Sequence, residues 1–179
     1  MKKILKTTKE FINNSIGEWK SIRSTHTLAF QEFENTNSNL LISNLNIKSE
    51  EILEVIQQFK YLNEPSFAIK IVWEPTTEWI FENKPEESQT ILIFIPKDEY
   101  SGTILNTKGY VELIPTYSEY FLDQNENLNI KSEYNATISE EKIWFLSKNV
   151  RSRHSVIKSK INNGILQTSH ATEIRKITN

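Results

Sequence analysis

Polar and apolar positions alternate along most of the chain, and two stretches break that rhythm with helical spacing. From Lys2 to Asn14, Ile4, Phe11 and Ile12 share one face and Lys and Glu cover the other, until Asn13-Asn14-Ser15 with Gly17 ends the segment. From Glu50 to Leu62, Ile52, Val55, Ile56 and Phe59 form an apolar stripe. Ser49 is placed to cap that helix, Glu50 and Glu51 sit in its first turn, and Asn63-Glu64-Pro65 stops it.

The remainder predicts strands near 20–34, 38–47, 66–74, 78–83, 88–96, 101–106, 108–116, 118–123, 128–135, 137–146, 149–158 and 164–177. Turn residues separate them: Glu34-Asn-Thr-Asn37, Asn83-Lys-Pro85, Tyr100-Ser-Gly102, Thr107-Lys-Gly109, Asp123 to Asn127, Ser147-Lys-Asn149 and Asn162-Asn-Gly164. Short intervals with hairpin-like turns imply an antiparallel meander, since parallel strands need long crossovers. The expectation is a mainly β chain, an up-and-down barrel of about ten strands with an N-terminal helix and one further helix. A sandwich is the competing architecture.

Length and composition narrow the function. The 179 residues suit one domain spanning 1–179, with no linker or repeat to divide it. With 21 basic and 23 acidic side chains, the net charge of -2 gives no reason to expect a nucleic-acid partner. The absence of cysteine excludes disulfides, thiolate metal sites and a cysteine nucleophile. The basic start lacks the apolar run of a secretory signal, and Thr90-Ile-Leu-Ile-Phe-Ile-Pro96 is strand-sized, so neither export nor membrane insertion is expected. Abundant Asn, Ile, Lys and Ser reflect a low-GC genome rather than a chemical role.

No nucleotide-binding, zincin or nucleophile-elbow motif occurs, and His26, His154 and His170 are scattered without acidic residues at ligand spacing, so no metal is expected. Arginine is scarce beside lysine, which makes each arginine informative. Arg151 and Arg153 leave the same face of a strand, and Ser155 and Ile157 continue it. That face points either into a cavity, where a ligand with carboxylates would neutralise the guanidiniums, or at solvent. Arg23 lies on the first strand and Glu173 and Arg175 on the last, which pair when a barrel closes, so Arg23 is expected near Glu173 or Arg175. Glu141 opens the strand before the arginine pair, and Trp73, Glu74, Glu78 and Trp79 stand together in W-E-P-T-T-E-W. Two indoles beside carboxylates suit a flat ligand or a hairpin corner.

Ser15-Ile-Gly17-Glu-Trp19, between the first helix and first strand, resembles the G-x-W signature of lipocalin and calycin barrels, in which Gly turns the chain and Trp plugs one barrel end. Over nearly its whole length the chain resembles the S-type phycobiliprotein lyases, the CpcS/CpeS family. The likeness runs from Phe11 through Ser15, Gly17, Trp19, Ser21, Arg23 and His26 to Trp73-Glu74 and Trp79. It continues with Ile143-Trp144-Phe145 and Asn149-Val-Arg151-Ser-Arg153-His-Ser155, and ends at Glu173-Ile174-Arg175. His154 and Ser169-His-Ala-Thr172 depart from the family pattern.

The resemblance implies a calycin barrel that attaches an open-chain tetrapyrrole through a thioether bond to a cysteine of a phycobiliprotein subunit, in a cyanobacterial cytosol. Bilin contacts are then expected from Arg23, Trp73, Glu74, Trp79, Arg151, Arg153, Ser155 and Arg175, with the arginines holding propionates. Glu141 or Glu173 would bond the pyrrole nitrogens and supply a proton. No tightly bound cofactor is implied. The substrate is phycoerythrobilin or, second, phycocyanobilin, the acceptor an apo-subunit such as phycoerythrin β, and a homodimer stays open. A non-catalytic barrel that carries a bilin, fatty acid or other carboxylate-bearing ligand is the alternative.

Overall fold

A computed structural model describes residues 7–59, 65–76, 88–107 and 115–177. Two helices and ten strands follow in the order α1 (Thr8–Ser15), β1 (Gly17–Thr27), β2 (Glu32–Leu45), α2 (Glu50–Phe59), β3 (Phe67–Pro75), β4 (Ser88–Pro96), β5 (Ser101–Asn106), β6 (Thr116–Leu122), β7 (Leu128–Glu133), β8 (Thr137–Ser147), β9 (Val150–Ser159) and β10 (Ile165–Arg175). Each strand pairs with the next antiparallel, and β1 pairs with β10 to close the barrel. Closure removes the unpaired edges that a sandwich would keep, and the barrel reading holds.

Alternation decides what faces inward. On β6, Thr116, Ser118, Tyr120 and Leu122 are buried while Tyr117, Glu119 and Phe121 are exposed. On β4 both faces are apolar, because α2 covers the outside. Ile52 and Val55 of α2 pack with Ala68, Ile91, Ile93, Ile95 and Leu105, while Phe94 and Ile104 point into the interior cluster. A strand sheltered on both faces reads as a continuous apolar run, which is the character of 90–96.

Helix α1 plugs one end. Its Thr7 N-cap and Glu10 form a capping box, and Phe11 and Ile12 are sealed against Trp19 and Phe145 of the interior cluster. Trp19 is fully buried and its Nε1 donates to the Ser15 carbonyl at 2.9 Å. Gly17 has φ +130, the left-handed region where side chains are strained.

Several expectations shift. The first hairpin turns at 28–31, with Gln31 at φ 55, and Glu34-Asn-Thr-Asn37 lies inside β2 instead. There Asn35 pairs with Ser24, whose Oγ donates to Asn35 Oδ1 at 2.8 Å, so the polar residues bond across the ladder rather than around a turn. The expected Tyr100-Ser-Gly102 turn falls at 97–100, where Asp98 Oδ1 accepts from the Tyr100 and Ser101 amides. Ser49 Oγ is buried without a hydrogen-bond partner, so α2 starts from the Ser49 carbonyl and not from a side-chain cap. The expected strand at 78–83 and most of the one at 108–116 lie outside the described residues.

Candidate functional site

The barrel encloses a cavity of about 300 Å³ that reaches from Phe11 and Ser15 of α1 to Thr36, Pro75 and Tyr134 near the other end. Much of its wall is apolar, including Leu40, Ile42, Ile71, Leu92, Phe94 and Ile130, with the Trp73 indole among them. Arg23, Glu141, Arg151 and Arg153 enter this wall on β1, β8 and β9. The i, i+2 spacing therefore does place both β9 arginines inside.

Strand register explains the cluster. Arg23 and Arg153 both pair with Ala171, so one small side chain on β10 separates the two arginines. Arg151 pairs with Glu173, and their side chains form an ion pair closed off from solvent. Arg153 grips Glu141 with two hydrogen bonds, Nη2 to Oε2 at 2.8 Å and Nε to Oε1. Burial pushes the Glu141 carboxyl up, but the charge and hydrogen bonds of Arg153, with Arg23 and Arg151 nearby, outweigh it and hold the group below the usual carboxylate range. Burial lowers the Arg151 guanidinium from its ordinary value, opposed by Glu173. Among the described residues, three guanidiniums and two carboxylates thus gather on β1, β8, β9 and β10.

The other expected site residues stand apart. Glu173 is fully buried beneath Arg151 and does not line the cavity. Ser155 is buried in a 2.7 Å hydroxyl pair with Ser169. Arg175 lies at the plugged end, its guanidinium 4.1 Å from the Trp19 ring centroid, donating to the Asn14 and Ile16 carbonyls at the end of α1. Glu173 thus meets Arg151, not Arg23 or Arg175. Glu74 is exposed on the outside of β3, while its neighbour Trp73 faces in, because adjacent strand residues point to opposite faces. Glu141 belongs to the middle of β8 rather than to its start. Trp79 and Glu78 lie outside the described residues.

The closed barrel that holds these residues has counterparts among known proteins. A family model described as CpeS-like protein matches residues 7–176. The chain belongs to the CpeS-like family.

It is 34% identical to chromophore lyase CpcS/CpeS 3 of Trichodesmium erythraeum, over 93% of this chain and 97% of that protein. It is 30% identical to the phycocyanobilin lyase subunit CpcS of Picosynechococcus, over 84% of this chain and 77% of that protein. The solved S-type phycobiliprotein lyase CPES of Guillardia theta superposes with a TM-score of 0.82 at 28% identity, covering 97% of this chain and 94% of its own. These CpeS-like relatives are named as lyases, which favours an enzyme over a passive carrier.

Outside the cavity, His154 and His170 are Cα partners on the exposed face of β9 and β10, with ring centroids 6.4 Å apart, and His26 packs on Phe33. No group of three or more metal-ligating side chains exists among the described residues. No helix among them is long and apolar enough to cross a membrane. The sequence reading missed the inward serines Ser118, Ser132 and Ser139; strict alternation on β6 carries the signal, with Ser118 in step with buried Thr116 and Tyr120.

Proposed function

We propose that this chain is a chromophore lyase that seats a bilin in the barrel and presents it to a cysteine thiol of a phycobiliprotein subunit. The observation that carries the reading is the placement of Arg23, Arg151, Arg153 and Glu141 in the wall of an otherwise largely apolar cavity. A bilin is a flat conjugated chain with two propionates and inward-facing pyrrole nitrogens. Apolar walls with Trp73 suit its faces, guanidiniums suit its acids, and a carboxylate suits its N–H groups.

Glu141 is the carboxylate placed to act on the pigment, since Glu173 is sealed behind Arg151. Arg153 keeps Glu141 ionised, ready to accept pyrrole N–H bonds. A propionate that engages Arg153 competes with Glu141 for the guanidinium. Burial then acts on Glu141 with less opposition and raises its proton affinity. The proton it takes up sits beside the pigment, where it assists addition of a thiol to the ring A ethylidene carbon. General acid assistance of this kind is worth roughly 10²–10⁴-fold. The nucleophile is the acceptor's thiolate, since this chain has no cysteine. Positioning supplies the rest: a fixed pose selects one carbon and one face.

Phycoerythrobilin is the first pigment to test and phycocyanobilin the second, with a phycoerythrin β subunit as first acceptor and the cytosol as the compartment. Purified protein is mixed with each bilin, then with the apo-subunit. Acid-stable, zinc-fluorescent pigment on the subunit supports the lyase; binding without transfer assigns a carrier. Arg151→Gln should reduce loading, and undiminished transfer would remove Arg151 from the mechanism.

A further inference from the structure

The cavity contains a second polar region that the charged cluster does not use. Ser118 on β6, Ser132 on β7 and Ser139 on β8 are successive Cα partners in one row across the sheet. All three line the cavity and are buried, with exposures of 3%, 8% and 6%. Adjacent strands are about 4.8 Å apart, so the row lays three hydroxyls along roughly 10 Å of wall. Further along the same wall, Thr90 Oγ1 donates to Asn106 Oδ1 at 2.6 Å. Toward α1 the wall turns apolar, with Leu128, Ile130 and Ile143.

The row is left with bonding capacity. Ser118 and Ser132 share one hydrogen bond of 2.7 Å, which engages one of their two hydroxyl protons. No side-chain hydrogen bond among the described residues engages Ser139. Buried hydroxyls in a largely apolar wall are costly unless a partner meets them. No charged side chain belongs to the row, so the fitting partner is neutral and both donates and accepts. The terminal rings of an open-chain tetrapyrrole are lactams, each with a carbonyl and an N–H, while its carboxylates hang from the inner rings. Ser139 and Glu141 share one face of β8, about 6.7 Å apart along the strand. A pigment held at Glu141 by an inner ring brings a neighbouring ring to the serines.

We infer that the Ser118–Ser132–Ser139 row is a neutral subsite that hydrogen-bonds a terminal lactam ring of the pigment, an inference resting on the bilin-binding function proposed above. It is tested by titrating the wild type, Ser118→Ala/Ser132→Ala, Ser139→Ala and Arg153→Gln with phycocyanobilin and with its dimethyl ester, following the visible band. The serine variants should lose about tenfold in affinity for both pigments and shift the bound band, because the lactams are the same in each. Arg153→Gln should weaken the diacid and spare the ester. Serine variants that bind both pigments with wild-type affinity overturn the inference while leaving the bilin reading intact; a wild type that binds neither pigment overturns both. Ser139→Ala removes no side-chain hydrogen bond among the described residues and decides the matter should the double variant fail to fold.

Discussion

Arg151 and Glu173 are in-register partners on β9 and β10 and form an ion pair with side-chain exposures of 5% and 0%. Only Arg151 of the two lines the cavity, with its guanidinium 4.7 Å from the Trp19 ring centroid. Glu173 therefore stands behind Arg151, away from the cavity. Removing one partner of such a pair strands the other charge in a dry interior. Glu173→Gln should cost about 3–5 kcal/mol of stability, read as a lowered denaturation midpoint. An unchanged midpoint would mean that the pair contributes nothing to the fold.

Glu141 makes stability depend on acid. Its folded pKa lies below the reference value of 4.5, so its contribution is complete above that pH and is lost as the pH falls through the folded value. Glu141→Gln removes the carboxylate that Arg153 grips with two hydrogen bonds and should cost roughly 3 kcal/mol at pH 7. The gap between wild type and variant should narrow below pH 4.5 in thermal melts. A constant gap from pH 7 to pH 3 would separate Glu141 from the acid limb.

At the plugged end, Gly17 combines φ +130 with a close approach by Arg175. An added Cβ would meet Arg175 Nη1 at 2.6 Å. Gly17→Ala should cost about 1–3 kcal/mol through backbone strain and displacement of that guanidinium. Equilibrium denaturation measures it, and a neutral result would show that the turn tolerates a side chain.

The sequence exposed the features governed by strict periodicity. The pairs Arg151 and Arg153, and Trp19 with Gly17, were legible because strand alternation and a positive-φ glycine leave local marks. Glu74 illustrates the limit: W-E is one motif as letters, yet two faces of a strand as geometry. The partner of Glu173 was illegible for another reason, since register between β9 and β10 depends on the whole ladder and its bulge near 165–167. The first hairpin turn was hidden because Leu28-Ala-Phe-Gln31 lacks turn residues, whereas Asn35 and Asn37 imitate them within β2.

Trp73 and Glu74 separate the cavity from the surface in a single experiment. Trp73→Leu removes an indole from the cavity wall and should weaken bilin binding about tenfold. Glu74→Gln, on the exposed side, should leave the affinity unchanged. Equal losses would show that the pigment lies across the strand edge.

A crystal structure of the chain with a bilin bound would show whether the barrel interior seats the pigment. The pigment is expected inside the barrel, its propionates within hydrogen-bonding distance of two or more of Arg23, Arg151 and Arg153, and its pyrrole nitrogens facing Glu141. A pigment bound on the outer wall, or one held inside with both propionates away from all three arginines, would contradict it.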